Sequence, residues 1–185
     1  NLFLRNTDLY PEKAAIIEYN RRITYGQLSK EVIATATYFQ AKGIQKGDRV
    51  LVFIPMSIDL YRVVLALYYI GATAVFLDAW VNRERLELCC RLANCKGFIG
   101  VWKARVFSWF SKALRQIPIK LSMNKQLNPN TTLVKVDKDD AALITFTTGS
   151  TGTPKAALRS HDFLQEQFSA LIEEINPQAS DIAMP

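Results

Sequence analysis

The chain of 185 residues has one histidine, His161, and three cysteines, Cys89, Cys90 and Cys95. A lone histidine far from the thiols leaves no set with zinc-ligand spacing, so no metal site is expected. The cysteine count is odd, no CxxC occurs, and adjacent cysteines rarely bridge each other. These facts exclude a disulfide scaffold and a thioredoxin-type redox motif. They point to buried thiols, expected in one helix, in a reducing cytoplasmic compartment. No apolar run approaches the ~18 residues of a membrane span. The N-terminus has no basic segment followed by an apolar run, so no signal peptide is read. The net charge is +6, from 23 basic and 17 acidic residues. No basic run has nucleic-acid geometry, so the excess suits small anionic ligands better than nucleic acid. The chain starts at Asn1 and ends on Asp181-Ile182-Ala183-Met184-Pro185. Both ends suggest a piece of a longer protein.

What is present is an alternation of strand and helix signals. Thr24 with Gln27 makes a capping box, so a helix starts there; Leu28, Val32, Ala36 and Phe39 form its apolar face and Gly43 stops it. Arg49–Ile54 reads as a buried strand. Ser57 caps a second helix, with Leu60, Val63, Val64, Leu67 and Ile70 inward, closed by Gly71. Ala72–Leu77 is a second buried strand, Asn82 caps a helix to about Asn94, and Gly97–Val101 is a third strand. Lys103–Arg115 is one further helix. Ile119–Leu121 and Thr132–Val136 are weaker strands. Ala141–Phe146 is a strong one, Ala156–Leu158 a short one, and Ser160 caps a helix to about Ile175. Pro118–Asn130, polar and with two prolines, is the expected linker. The order predicts an α/β fold, a mostly parallel sheet covered by helices on both faces.

Between the strand at 141–146 and the last helix lies Thr145-Phe146-Thr147-Thr148-Gly149-Ser150-Thr151-Gly152-Thr153-Pro154-Lys155. Two glycines three apart let backbone N–H groups converge on one point. Thr147, Thr148, Ser150, Thr151 and Thr153 add hydroxyl donors, Pro154 stiffens the exit, and Lys155 adds a positive charge. Such donors suit the many acceptor oxygens of a polyphosphate. The loop follows a buried strand, and open α/β sheets bind ligands at the carboxyl ends of strands. Proline before the lysine and alanine after it exclude a Walker A loop, and no Gly-x-Gly-x-x-Gly occurs. The plainer alternative is a Ser/Thr/Gly turn without a ligand.

The string FTTGSTGTPKAALRSH, residues 146 to 161, resembles the signature loop of the adenylate-forming enzymes. These include acyl-CoA synthetases, firefly luciferase and the adenylation domains of nonribosomal peptide synthetases. Ile23-Thr24-Tyr25-Gly26-Gln27-Leu28 is similar to an early motif of that family. Leu65–Ala72 with Val75-Phe76-Leu77-Asp78 is similar to a second one. The resemblance implies that residues 1–185 are the N-terminal part of the large AMP-binding domain. It implies a ligase in which a carboxylate oxygen attacks the α-phosphate of ATP and pyrophosphate leaves. The acyl group then passes from the adenylate to a thiol such as that of coenzyme A. Thr147, Thr148, Gly149, Ser150, Thr151, Gly152 and Thr153 would hold the phosphates. Lys155 would act as the loop's catalytic lysine, offsetting β/γ-phosphate charge together with Mg²⁺. The family usually has glycine where this chain has Ala156, which fits if φ is negative there. The expected acid is a fatty acid, in the manner of acyl-CoA synthetases. An amino or aryl acid, or a non-catalytic nucleotide-binding or scaffold module, is the alternative, and a kinase with an unusual loop a further rival. The family's adenine, ribose, hinge and C-terminal lysine positions fall downstream, so the chain alone is expected to be inactive.

Three weaker features complete the reading. His161 opens a helix just past the loop; an ordinary packing histidine is preferred over one beside the acyl site. Residues 102–115 carry Trp102, Val106, Trp109, Phe110 and Ala113 at helical spacing among Lys103, Arg105, Lys112 and Arg115. Packing of that stripe on the sheet is expected, with peripheral membrane contact as the alternative. Asp78, after a strand, reads as a turn carboxylate rather than a catalytic one.

Overall fold

The structure, a computed structural model, describes residues 2–77, 83–109, 111–123, 127–148 and 154–177. The chain opens with α1 (Leu2–Leu9) and an antiparallel hairpin of β1 (Ala14–Glu18) and β2 (Arg21–Thr24). Then follow α2 (Tyr25–Ala41), β3 (Arg49–Phe53), α3 (Ile58–Tyr69), β4 (Thr73–Val75), α4 (Arg83–Ala93) and β5 (Gly97–Gly100). The described chain closes with α5 (Trp102–Ser108), α6 (Lys112–Gln116), β6 (Ile119–Lys120), β7 (Ala141–Thr148), β8 (Pro154–Ser160) and α7 (His161–Ile175).

Local chemistry sets the helix ends. Thr24 Oγ1 accepts from the Gln27 N–H while the Gln27 side chain accepts from the Thr24 N–H, the reciprocal capping box. At the other end of α2, Gly43 has φ +92°. The Ile44 N–H donates to Phe39 O at 3.1 Å and the Gly43 N–H to Gln40 O at 2.9 Å. This is a Schellman closure, with Ile44 buried as its apolar partner. Gly71, φ +70°, ends α3 in the same way, with the Ala72 N–H donating to Leu67 O. A Cβ at Gly71 would also meet Lys46 Cγ at 3.0 Å. Ser57 caps α3, and the Glu18 carboxylate accepts from the Ile58 N–H at 2.9 Å, a negative charge at the positive end of the helix.

The main sheet has the order β6-β5-β3-β4-β7-β8; its strands are parallel except for β8, which pairs antiparallel with β7. Successive strand residues alternate between two cores, as the two-residue pleat requires. Val50, Val52, Ala74 and Ile99 pack under α2 and α3. Leu51, Val75, Phe98, Ile144 and Phe146 pack under α4 and α6 on the opposite face. The sheet is thus covered on both faces, and its apolar strand interiors follow from that.

Several expectations are corrected. The run 103–115 is two short helices, because Ser111 caps a new one by accepting from the Leu114 N–H. Residues 132–136 form no strand; the Val134 N–H only reaches Tyr69 O at 2.9 Å. The segment 118–130 is no linker. Within it β6 joins the sheet, Leu121 is buried, the Ser122 N–H donates to Tyr38 Oη and the Leu127 N–H to Ala34 O. The buried Arg62 guanidinium ties the segment down, donating to Met123 O at 2.9 Å and Asp59 Oδ1 at 2.8 Å. Cys95 lies past the end of α4, so only Cys89 and Cys90 share the helix. All three thiols are buried and free of disulfides. Burial pushes Cys90 and Cys95 up to about 12, which suits packing thiols rather than nucleophiles. The strand read at 156–158 extends over Pro154–Ser160. Asp78 and the expected cap Asn82 lie outside the described residues.

Candidate functional site

Of the residues expected to bind phosphate, Thr147, Thr148 and Lys155 sit at the end of the β7–β8 hairpin. Thr148 pairs with Pro154 and Thr147 with Lys155 across the antiparallel ladder. Gly149, Ser150, Thr151, Gly152 and Thr153, which join these strands, lie outside the described residues. Thr147 and Lys155 are register partners and both are exposed. Directly opposed residues share one face of a sheet with Cβ atoms about 5 Å apart. Phe146, one residue earlier, is buried in the core under α4 and α6, so the alternation puts Thr147 and Lys155 on the other face. Among the described residues Lys155 has no ion-pair partner, so its ammonium is available to a ligand. The position is the carboxyl edge of the parallel strands, where β3, β4, β5 and β7 all end.

Side-chain bonds hold the hairpin to the sheet. Thr73 Oγ1 donates to Ala141 O at 2.8 Å, tying β4 to the start of β7. Arg159 donates to Thr145 Oγ1 at 2.6 Å and its guanidinium lies 5.9 Å from the Phe163 ring centre. Sequence reasoning gave Arg159 no role. Its signal was the two-residue alternation, which places it on the same face as Lys155. Ala156 pairs with Phe146 inside β8 and is not among the residues of positive φ, so alanine fits where the family usually has glycine.

His161 is not at this edge. β8 runs back along β7, and Ser160 pairs with Ala141 at the amino end of the strand. About seven strand steps, roughly 20 Å, separate it from Thr148. His161 packs edge-on against Tyr68, ring centres 5.5 Å apart, and its backbone N–H donates to Asp140 O. Its Nε2 is buried and has no hydrogen-bond partner. Beside it Lys46 Nζ lies 2.8 Å from Asp140 and 3.5 Å from Asp137. Burial holds the imidazole below its ordinary value of 6.5; Asp140 opposes that shift and Lys46 adds to it. The unfolded chain therefore takes up the proton more readily than the folded one. This contribution to stability is complete above pH 6.5 and is lost as pH falls through the lower folded value. Urea midpoints on either side of pH 6.5 are expected to fall for the natural chain on acidification, and to fall less for His161→Gln. Equal falls would mean that His161 is not the source.

A cavity of about 230 Å³ between α4 and α6 is lined by Cys90, Cys95, Ala113 and Ile117 among others. It lies toward the amino ends of β5 and β6, away from the hairpin tip.

The donors at the tip are a hydroxyl and an ammonium. They suit anionic oxygens and repel cations. Among the described residues no group of three or more His, Cys, Asp or Glu side chains could hold a metal ion. The sequence matches the model of the AMP-binding enzyme family over residues 3–184. The chain belongs to that family. Among AMP-binding relatives, the delta-poly-L-ornithine synthetase of Acinetobacter baumannii (strain AB307-0294) is 28% identical over 159 residues, 84% of this chain and 12% of that protein. The olefin beta-lactone synthetase of Stenotrophomonas maltophilia (strain K279a) is 26% identical over 182 residues, 90% of this chain and 33% of that protein. The N-terminal subdomain of Klebsiella oxytoca NpsA, solved with 3-hydroxybenzoyl-AMSN, superposes with a TM-score of 0.73 at 28% identity. That match covers 86% of this chain and 40% of the solved one. The chain thus spans a third or less of these curated relatives. Among the described residues no helix is long and apolar enough to cross a membrane.

Proposed function

We propose that residues 1–185 are the N-terminal part of the large AMP-binding domain of an adenylate-forming ligase, and that they supply its triphosphate site. The observation that carries this is the facing pair Thr147 and Lys155 at the carboxyl edge of the parallel sheet. In this reading Thr147, Thr148, Gly149, Ser150, Thr151, Gly152 and Thr153 cradle the β- and γ-phosphates of ATP, and Lys155 offsets their charge. The substrate carboxylate oxygen forms a bond to the α-phosphorus as the bond to the β-phosphate bridging oxygen breaks. Pyrophosphate departs with its charge held by the loop, the step at which preorganised donors contribute most. The expected Mg²⁺ would travel with the triphosphate.

The acid is an amino or aryl acid. NpsA is solved with 3-hydroxybenzoyl and 3-hydroxyanthranilyl ligands, and matching relatives include linear gramicidin synthase and bacitracin synthase. The fatty-acid reading and its acyl-CoA synthetase label find no support in these relatives. The thiol acceptor follows the same shift, a carrier-borne thiol replacing free coenzyme A.

The test is pyrophosphate exchange into ATP by a protein in which this chain is followed by the rest of the domain. Exchange that depends on an amino or aryl acid is expected. Exchange driven only by long-chain fatty acids would overturn the substrate class, and exchange by residues 1–185 alone would overturn their assignment as one half of a site.

A further inference from the structure

We propose that the α5–α6 corner, residues 102–116, is a docking surface for an anionic lipid bilayer. Of the stripe expected to pack on the sheet, Ala113 does so, Phe110 lies outside the described residues, and the other three face solvent. Trp102 is 70% exposed, Val106 45% and Trp109 72%. Trp102 and Val106 stand one turn apart on α5, and Trp109 follows directly after it with its N–H donating to Val106 O. The three side chains therefore fall on one side of the helix axis. Ala104 faces inward, packed so close to β5 that a Cβ on Gly100 would lie 3.0 Å from its own. α6 is anchored by Leu114, fully buried. Trp102, Val106 and Trp109 thus face outward on a corner held to the core by Ala104 and Leu114.

Charge selects the occupant. Lys103 on α5 and Lys112 and Arg115 on α6 are exposed, and Lys103 Nζ lies 5.9 Å from the Trp102 ring centre. From Leu88 to Val136 the chain carries nine Lys or Arg residues and no Asp or Glu. The remainder holds 14 basic and 17 acidic residues, so the positive charge of the protein is concentrated in this stretch. Tryptophan at the headgroup level with lysine and arginine beside it is the chemistry of peripheral attachment to anionic membranes. A second exposed apolar face, that of Phe168, Leu171 and Ile175 on α7, stands among Asp162, Glu166, Glu173 and Glu174, which an anionic surface would repel.

The experiment is sedimentation of the full chain with vesicles of phosphatidylcholine, alone or mixed with phosphatidylglycerol. Binding is expected to the mixed vesicles at low salt, to weaken at physiological salt, and to be slight on phosphatidylcholine alone. Trp102→Ala/Trp109→Ala is expected to lower binding by about tenfold or more. Lys103→Glu/Lys112→Glu/Arg115→Glu is expected to lower it on the order of a hundredfold. All these side chains are exposed, so unchanged circular dichroism and melting should accompany both losses. Phe168→Ser/Leu171→Ser on α7 should bind as the natural chain does. No binding to mixed vesicles, equal binding to neutral ones, undiminished binding in either α5–α6 variant, or loss in the α7 variant would overturn the proposal.

Discussion

Replacing Lys155 with alanine is expected to weaken binding of inorganic tripolyphosphate by on the order of tenfold to a hundredfold, the worth of a charge-assisted contact. In a complete enzyme the same change is expected to lower kcat by roughly 10²–10³, as removal of a preorganised donor does at other sites of charge development. Lys155 is exposed, sits opposite Thr147 on the ladder, and among the described residues has no carboxylate partner. Losing its ammonium therefore removes charge from the site without taking a contact from the core. Calorimetric titration with tripolyphosphate and with AMP separates the two halves of the nucleotide. Only the former should suffer, and Lys155→Arg should retain part of the affinity. A Lys155→Ala chain that binds tripolyphosphate as well as the natural one would remove the lysine from the site.

Phe98→Ala is expected to cost about 3–5 kcal/mol, the usual penalty for deleting a buried aromatic side chain. Phe98 is 1% exposed in the middle of β5, its ring 6.0 Å from that of Phe53. The Lys120 ammonium stands 5.5 Å from the ring centre and also donates to Leu114 O. One substitution thus opens a cavity where β5, β6 and α6 meet. The urea midpoint should fall with the slope of the transition unchanged. A shift of less than about 1 kcal/mol would mean that the core under α4 and α6 refills by collapse, contrary to close packing.

What the sequence disclosed was what local chemistry controls. Thr24, Ser57 and Ser160 each cap a helix because a short hydroxyl reaches an N–H three residues on. Gly43 and Gly71 close helices because a left-handed residue is needed there. The apolar runs at 49–54, 72–77 and 141–146 marked strands covered on both faces. Other features depend on partners far along the chain. Residues 118–130 look like a linker by composition, yet Tyr38, Ala34 and Arg62 hold them. The apolar alternation at 132–136 lacks a neighbouring strand. An amphipathic stripe at 102–109 states a spacing but not which side faces water, and here the tryptophans face out. Ser111 was readable as a cap and divides what the apolar spacing alone had joined. In the candidate site, residue types and order were legible from 147 to 155. His161 follows closely in sequence, but β8 reverses the chain and carries it to the opposite end of the strand.

The central claim is that the tip of the β7–β8 hairpin binds the phosphate chain of a nucleotide. The most direct measurement is an NMR titration of the isotopically labelled chain with inorganic tripolyphosphate, followed through the backbone amides. Saturating shifts concentrated at residues 147–155, with Ser160, His161 and the cavity residues Cys90 and Cys95 unmoved, are the predicted result. Shifts centred on any of those distant positions, or none at 147–155, would contradict it.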